Sequence, residues 1–289
     1  MKNYKEKEKK LEHVLKKLST MSNKVIKMNN DIDSLNSEKN QLDMIGMMLG
    51  KHMDGTVDTD TMIIKTQERL VNSLEHGIEY DGTVEESDNF LREHVWKKLP
   101  MVVMYVDIVG STQMVLSLPE EKVAMLFSSF TQEMAILIEQ NAGMVLKFVG
   151  DAVIGYFIDA SNLLASDNAV TCAQSMIRVI NEGINPVLAK SGYPELAVKI
   201  GVDFGKNMIV RYGSDKKTSH VDLLGPSMNV ASKIQGLAKP QQILIGEDVY
   251  KKIHPTLQKK CKQEILSEAK WKYRYRNSDK LYPIYHYIS

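Results

Sequence analysis

Apolar residues recur with heptad spacing through the first 45 residues of the chain. They fill nine of ten seam positions, and Lys39 is the exception; the nine are Leu11, Val14, Leu18, Met21, Val25, Met28, Ile32, Leu35 and Leu42. Lysine, glutamate, asparagine and aspartate occupy most positions between them. A seam this narrow predicts a coiled coil over residues 1–45 that pairs two copies of the chain. The alternative is one amphipathic helix packed against its own domain.

The next segment, residues 46–99, has a different pattern. Residues 46–60 contain three glycines among polar residues, which predicts a hinge. Helices are predicted over residues 61–77, where Leu70, Val71, Leu74 and Ile78 form an apolar face, and over residues 86–99. The segment contains no ligand-binding motif, so we interpret it as a helical linker or transmitter.

From residue 100 onwards, short apolar runs alternate with amphipathic segments. Strands are predicted over residues 101–106, 144–148, 152–158, 196–204, 208–212 and 242–245, and helices over residues 119–141, 161–190 and 226–237. Residues 144–158 form a hairpin around Gly150 and Asp151, residues 196–212 form a second strand pair, and two alternating strands around residues 277–279 close the chain. This order predicts an α+β domain over residues 100–289, with helices against a mainly antiparallel sheet.

Composition restricts the class of protein only in part. The 289 residues are 43% hydrophobic and 25% charged, and a net charge of +1 neither indicates nor excludes a nucleic-acid partner. Cys172 and Cys261 form no metal-type spacing or disulfide framework, which fits a reducing compartment. No apolar run approaches the about 20 residues of a membrane-spanning helix, and the N-terminus lacks a secretory signal. We therefore expect a cytoplasmic protein without a membrane span.

Two aspartates stand where predicted strands end or turn. Asp107 ends the first strand of the α+β domain, and Asp151 lies in the hairpin turn; if these strands are neighbours, the carboxylates meet at one rim and repel each other unless a cation lies between them. Mg²⁺ suits such a site. Gly110, Ser111 and Thr112 follow Asp107, and small residues there let backbone N–H groups approach phosphates at the start of the next helix. Taken singly, either aspartate is more typical of a helix cap or turn.

Three segments extend this pattern: VDIVGST from Val106, LKFVGDAVIGYF from Leu146 and VDLLGPSMNVASKI from Val221. Together they resemble the class III nucleotidyl cyclases, over residues 100–288. The resemblance implies a ferredoxin-like α+β cyclase catalytic domain, here preceded by the α-helical coiled coil. It also implies a head-to-tail homodimer in which one chain supplies the metal ligands and the other recognises the base. The implied reaction converts ATP into 3′,5′-cyclic AMP and pyrophosphate with two Mg²⁺ or Mn²⁺ ions per active site.

The resemblance also assigns roles to individual residues. Asp107 and Asp151 match the metal-binding aspartates, and Ile108 would add a backbone carbonyl. Lys147 and Asp222 match the residues that read the purine, and lysine with aspartate resembles the adenylate cyclase pair, whereas guanylate-specific members typically carry glutamate and cysteine. The chemistry agrees, because adenine offers an acceptor at N1 and a donor at its amino group.

Three further residues complete the implied site. Asn229 matches the asparagine that positions the ribose and the reacting phosphate. Lys233, one helical turn later, replaces the usual arginine, so it keeps the charge but loses the planar fork. Lys270 is the best match to the lysine that grips the triphosphate, although the glycine usually beside it is missing. Its segment, KWKYRYR, alternates basic and aromatic residues as a strand would, and a solvated edge strand is its plainer interpretation.

Other functions stay open at this stage. The substitution at Lys233 favours a weak or inactive cyclase-like module that binds nucleotide or has a regulatory role. Guanylate and diguanylate cyclases are further alternatives, but FVGDAVIG is a poor match to the GGDEF-like turn of the latter. No nucleic-acid partner is expected, because a single basic strand gives little support for one.

Overall fold

The computed structural model describes residues 39–40, 42–45, 58–77, 84–160, 164–215, 218–275 and 278–288. Most of the predicted coiled coil and residues 46–57 of the predicted hinge lie outside these ranges, so both stay predictions. Thr59 and Asp60, at the end of the predicted hinge, already belong to a helix.

Residues 39–40 and 42–45 are helical, and the other described residues form nine α-helices, one π-helix and eight strands. The helices are α1 (Thr59–His76), α2 (Glu85–Glu93), α3 (Ser111–Ser117), α4 (Glu120–Gln140), α5 (Ala165–Arg178), α6 (Asn185–Lys190), α7 (Pro226–Leu237), α8 (Glu247–Tyr250) and α9 (Pro255–Gln258), with the π-helix Val179–Ile184 between α5 and α6. The strands are β1 (Lys98–Ile108), β2 (Met144–Val149), β3 (Ala152–Ile158), β4 (Val198–Tyr212), β5 (His220–Leu224), β6 (Gln242–Gly246), β7 (Cys261–Glu264) and β8 (Ile284–Tyr287).

All eight strands belong to one sheet. Seven follow the order β2-β3-β1-β4-β6-β8-β7, and β5 pairs with the C-terminal part of β4, residues 208–212. Neighbouring strands are antiparallel, except that β4 and β6 run parallel. The predicted α+β fold with a mainly antiparallel sheet is therefore confirmed, and β1 and β3 are neighbours as the metal-site hypothesis requires.

Both faces of the sheet are covered, which explains why β1 is a continuous apolar run rather than an alternating one. Val102, Met104 and Val106 point into a core shared with α1, α4 and α5. Met101 and Val103 point the other way, into a second core shared with α2 and α7. Ile45, the last residue of the predicted coiled coil, is buried in this second core, so this end of the segment packs on the face that carries α7.

Helix α1, predicted as part of a linker, is packed into the helical layer. It begins after Asp58, whose side chain accepts hydrogen bonds from the first turn. The carboxylate of Glu133 on α4 is buried and accepts from Thr66 Oγ1 at 2.6 Å and from Arg69 Nε at 2.8 Å. Gly183, in the π-helix, faces the Thr66 side chain at van der Waals distance. Specific polar and apolar contacts thus hold α1 against the α+β domain.

The predicted break between strands 196–204 and 208–212 is wrong. Both belong to β4, because β1 pairs with it without interruption from Ile108 opposite Val198 to Lys98 opposite Met208. The polar Asn207 inside this strand is buried, and its Nδ2 donates to Ser227 Oγ at 2.7 Å. The partner strand and this buried hydrogen bond keep extended a segment whose composition suggested a turn.

The predicted helix over residues 86–99 ends early, at Glu93. Trp96 has a positive φ of 69°, and its N–H donates to the Ile209 carbonyl at 2.8 Å. The chain therefore joins the sheet before Lys98, where β1 begins. Pairing with β4 outweighs the helical pattern here.

The predicted strand pair around residues 277–279 is also wrong within the described residues. Residues 271–275 and 278–282 pair only briefly, through an isolated bridge between Arg274 and Leu281 and two backbone hydrogen bonds. Trp271 turns inward, is 2% exposed, and donates its indole N–H to the Tyr282 carbonyl at 2.8 Å. The closing strands are instead β7 and β8, and the sequence analysis did not predict β7.

A membrane-spanning segment is not found among the described helices, since none combines the necessary length with enough apolar residues.

Candidate active site

The structure brings Asp107 and Asp151 together at one rim of the sheet. Asp107 is the penultimate residue of β1, and Asp151 lies in the turn between β2 and β3, beside it. The pKa of Asp107 is raised to about 6, mainly by burial, and further by the charge of Asp151 and a hydrogen bond between the two carboxyl groups. Gln235 and Lys199 act in the opposite direction. Two acids held this close are stable together only with a proton or cation between them.

Oδ2 of Asp151 is buried and has no hydrogen-bond partner among the described residues. A buried carboxylate oxygen without a donor is costly, so its position fits a ligand for a cation. Two carboxylates and a backbone carbonyl such as that of Ile108 form a hard oxygen set, which suits Mg²⁺ or Mn²⁺. No cluster of three or more metal-binding side chains occurs in the described part of the chain. Water and substrate phosphates would therefore complete the coordination, as is usual for Mg²⁺.

The predicted small-residue loop is a tight turn from β1 into α3. Gly110 has a φ of 74°, a left-handed conformation that favours glycine, and directly precedes α3. Ser111 and Thr112 are the first residues of that helix. The N–H of Val109 donates to the Ala197 carbonyl at 2.8 Å, which fixes the turn against the sheet next to Asp107.

Lys147 and Asp222 also come together, from β2 and β5. Nζ of Lys147 lies 2.5 Å from Oδ2 of Asp222. Oδ1 of Asp222 accepts the backbone N–H of Leu223 at 2.8 Å, and Nε2 of His220 lies 3.7 Å from Oδ2. Burial, and then the charge of Asp222, raises the pKa of Tyr105. Tyr105 is thus a neighbour of the predicted base-reading pair that the sequence analysis did not identify.

Asn229 and Lys233 lie on α7 and are solvent exposed. The helix that carries them is pressed onto β4 at Gly201, where a Cβ atom would lie 2.2 Å from the backbone nitrogen of Gln235. The hydrogen bond between Asn207 and Ser227 anchors its first turn. The helix is therefore fixed on the sheet while its two predicted catalytic side chains face outward.

Lys270 is exposed and lies in a turn, where its N–H donates to the Ser267 carbonyl at 3.0 Å. The predicted strand is wrong for residues 270–275, because Lys270 belongs to a turn and Arg274 alone forms a bridge, to Leu281. A contact between Lys270 and the triphosphate therefore stays a prediction.

Gln235 is a second residue that the sequence analysis missed. Its Nε2 donates to Oδ2 of Asp107 at 3.3 Å. Its spacing could have identified it. Gln235 follows Ala231 by one helical turn and so lies on the face of α7 that packs on the sheet, where an apolar residue is expected and a polar one indicates a specific contact.

Comparison with known proteins places these features in a family. Residues 97–282 match the model of the adenylate and guanylate cyclase catalytic domain. Curated relatives include a cytidylate cyclase of Escherichia coli, 27% identical over 54% of this chain, and an adenylate cyclase of Anabaena cylindrica, 29% identical over 53%. The matched regions cover 36% and 30% of those relatives, so the chain spans about a third of their length.

Solved structures show the same fold. The adenylyl cyclase CyaB of P. aeruginosa superposes with a TM-score of 0.57 at 20% identity, covering 67% of this chain and 95% of that one. The guanylyl cyclase Cya2 gives 0.57 at 18%, covering 66% and 93%. The family model covers more than half of the chain and includes the predicted metal, base and α7 residues. The chain therefore belongs to the class III adenylate and guanylate cyclase family, whose members bind a nucleotide substrate, use divalent metal ions and usually dimerise.

Proposed function

We propose that this protein is an adenylate cyclase that converts ATP into 3′,5′-cyclic AMP and pyrophosphate at sites shared by two copies of the chain. The observation that carries the proposal is the pairing of opposite chemistries on one sheet. Asp107 and Asp151 form an acidic rim in which Oδ2 of Asp151 has no hydrogen-bond partner among the described residues, and Lys147 and Asp222 form a donor–acceptor pair. The first suits metal-bound phosphates and the second suits adenine.

The base-reading chemistry follows from the two side chains. The Lys147 ammonium only donates hydrogen bonds, which matches the N1 acceptor of adenine, and the Asp222 carboxylate only accepts, which matches the 6-amino group. Guanine presents a donor at N1 and an acceptor at O6, so both contacts would be mismatched. Leaving buried polar groups unpaired discriminates strongly between such bases.

The reaction forms a bond between the ribose 3′-oxygen and the α-phosphorus and breaks the bond from that phosphorus to the pyrophosphate oxygen. Asp107, Asp151 and the Ile108 carbonyl would hold the divalent ions, which supply positive charge that lowers the pKa of the 3′-hydroxyl and neutralises the triphosphate. Asn229 orients the ribose, and Lys233 offsets the negative charge that develops on the phosphate.

The turn at Gly110, Ser111 and Thr112 offers backbone N–H groups to the phosphates, and Lys270 is the proposed triphosphate lysine. No side chain of the proposed set is placed as a dedicated base, so positioning and electrostatics carry the catalysis. This is the pattern expected of phosphoryl transfer.

The exposure of the proposed nucleotide-binding residues to solvent supports a dimer. Asn229 and Lys233 face solvent, and two grooves of about 530 and 350 Å³ in the described structure are lined by other residues. Exposed apolar side chains also occur on the strands of the base-reading pair: Phe148 beside Lys147, and Leu224 near Asp222. A second copy would enclose the nucleotide and cover these residues.

A second candidate substrate is CTP. Cytosine offers an acceptor at N3 and a donor at its 4-amino group, the same pattern as the N1 edge of adenine. The relative from E. coli is named a cytidylate cyclase. Lys147 and Asp222 therefore select against GTP and UTP but do not by themselves separate ATP from CTP.

Binding without turnover is the remaining alternative, and the exposed Lys233 in the arginine position is the observation that favours it. The test is to incubate the purified chain with ATP, CTP, GTP or UTP and Mn²⁺, and to identify products by mass spectrometry. We expect cyclic AMP as the main product, lost in Asp107→Asn and kept in Asp279→Asn, a matched change at an exposed residue of the C-terminal loop. Cyclic CMP as the main product supports the second candidate, and nucleotide binding without product supports the third.

A further inference from the structure

The side chain of Gln235 connects α7 to the predicted metal site. Its amide Nε2 lies 3.3 Å from Oδ2 of Asp107, a contact between residues 128 positions apart. The neighbouring Oδ2 of Asp151 has no partner among the described residues. One carboxylate oxygen of the rim is therefore held by a neutral donor, and another is left for a ligand.

The backbone explains why a glutamine at this position reaches Asp107. Gly201 of β4 lies directly under Gln235, with no side chain to keep the helix away. Gly201 pairs with Tyr105 on β1, two residues before Asp107. Asp107 is therefore the diagonal neighbour of Gly201 on the adjacent strand, about 7–8 Å away, and the side chain of Gln235, which starts close above Gly201, reaches it.

We propose that Gln235 is a positioning residue that holds the Asp107 carboxylate in one orientation, so that this carboxylate and that of Asp151 present their remaining oxygens to a shared divalent cation. The inference rests on the proposed function, because it requires a metal at this rim. A hydrogen bond from an outer-shell group fixes a ligand before the metal arrives, so that less freedom is lost on binding.

The competing explanation is that Gln235 only helps to pack α7 on the sheet. The two explanations predict different losses. A packing role would lower stability and leave metal affinity unchanged, whereas a positioning role would lower metal affinity with little change in stability. The measurement must therefore follow metal binding and unfolding separately.

Two variants isolate the hydrogen bond. Gln235→Met keeps the length of the side chain and removes the donor. Gln235→Asn keeps the amide but shortens the side chain by one methylene, so the donor falls short of Asp107. Gln263→Met, at an exposed position on β7, is the matched control.

Isothermal titration of the nucleotide-free full chain with Mn²⁺ gives the metal affinity, and thermal unfolding without metal gives the stability. We expect Gln235→Met and Gln235→Asn each to weaken Mn²⁺ binding by about tenfold, with Gln263→Met unchanged and all melting temperatures close to wild type. The activity of both variants relative to wild type should be higher at saturating Mn²⁺ than at low Mn²⁺.

Asp107→Asn separates failure of this inference from failure of the proposed function. Positioning by Gln235 is overturned if Asp107→Asn abolishes Mn²⁺ binding while Gln235→Met binds within about twofold of wild type. Wild-type protein that binds no Mn²⁺, or binding that Asp107→Asn leaves intact, overturns the metal site and the role of Gln235 together.

Discussion

Lys147 and Asp222 form an ion pair across two strands that are far apart in sequence, with Nζ 2.5 Å from Oδ2. The pair is half-enclosed, since the two side chains are 31% and 17% exposed. Each residue already neutralises the other in the described structure. A base that binds between them separates this ion pair. Only a base with an acceptor for Lys147 and a donor for Asp222 replaces the interaction that each side chain loses.

The first prediction concerns base choice at this pair. Lys147→Glu combined with Asp222→Cys should shift the ratio of kcat/KM for GTP over ATP by at least about tenfold, because a carboxylate accepts from the guanine N1 and amino groups. Steady-state rates with both nucleotides and Mn²⁺ test this. Lys147→Glu alone is the control: it places two carboxylates side by side and should be poor with either substrate. A double variant that still prefers ATP would contradict the assignment of the pair.

The second prediction concerns pH and metal binding. The pKa of Asp107 is raised to about 6, so its carboxyl group is protonated below that pH, and a proton then competes with the metal. Mn²⁺ affinity of the nucleotide-free protein should be nearly constant between pH 7 and 8. It should fall by up to about tenfold for each pH unit below about 6. Calorimetric titrations from pH 5 to 8 measure this, and an affinity independent of pH over that range would argue against Asp107 as a ligand.

The third prediction concerns the lysine on α7. Lys233→Arg should raise kcat by about tenfold, because the planar guanidinium can donate two parallel hydrogen bonds to the reacting phosphate. The side chain is exposed, so the fold should tolerate the change. Lys239→Arg, just beyond the same helix, is the matched control and should have no effect. An unchanged kcat in Lys233→Arg would mean that this position does not contact the phosphate.

The fourth prediction concerns the attachment of α1. Arg69→Met removes the cation beside the buried Glu133 and should lower the free energy of unfolding by about 3 kcal/mol, because it leaves a buried charge uncompensated. Arg178 also contacts α1, through Asp60, but this pair is exposed. Arg178→Met should therefore cost less than about 1 kcal/mol. Urea denaturation of both variants measures the two free energies of unfolding. Equal losses would show that the buried Arg69–Glu133 pair stabilises the fold no more than the exposed Arg178–Asp60 pair does.

The fifth prediction uses the buried Asp203, which accepts a hydrogen bond from Tyr282 Oη at 2.7 Å. Burial raises the pKa of Asp203 to about 8, far above the unfolded value near 3.8. Between these pH values the folded state keeps a proton that the unfolded state has lost, so stability falls as pH rises. Relative to Asp203→Asn, the wild-type free energy of unfolding should decrease by up to about 1.4 kcal/mol per pH unit between pH 4 and 8.

Denaturation of both proteins in metal-free buffer at pH 5, 6.5 and 8 measures this difference. The advantage of Asp203→Asn should grow with pH, because the amide can still accept from Tyr282 but carries no charge. A difference that is the same at all three pH values would show that Asp203 does not titrate in this window.

Several sequence predictions were confirmed because they rest on local patterns. The strand before Asp107, the hairpin turn at Gly150 and the helix from Pro226 carry their own local signals, which are a continuous apolar run, turn chemistry and helical spacing respectively. The errors occur where a distant partner overrides that signal. Residues 204–208 stay extended because β1 pairs along them, and Trp271 turns inward because its indole finds the Tyr282 carbonyl.

By itself, the sequence predicted the α+β class, most of the helices and strands between residues 101 and 245, and the candidate residues for cyclase chemistry, because periodicity and motif spacing are properties of neighbouring residues. Only the tertiary structure decided which of those residues meet. The pairing of β1 with β3 sets Asp107 beside Asp151, and a missing side chain at Gly201 lets α7 come close enough for Gln235 to reach the same carboxylate. Such contacts depend on sheet register and helix docking, which join residues from dozens to more than a hundred positions apart and leave no local periodic signal.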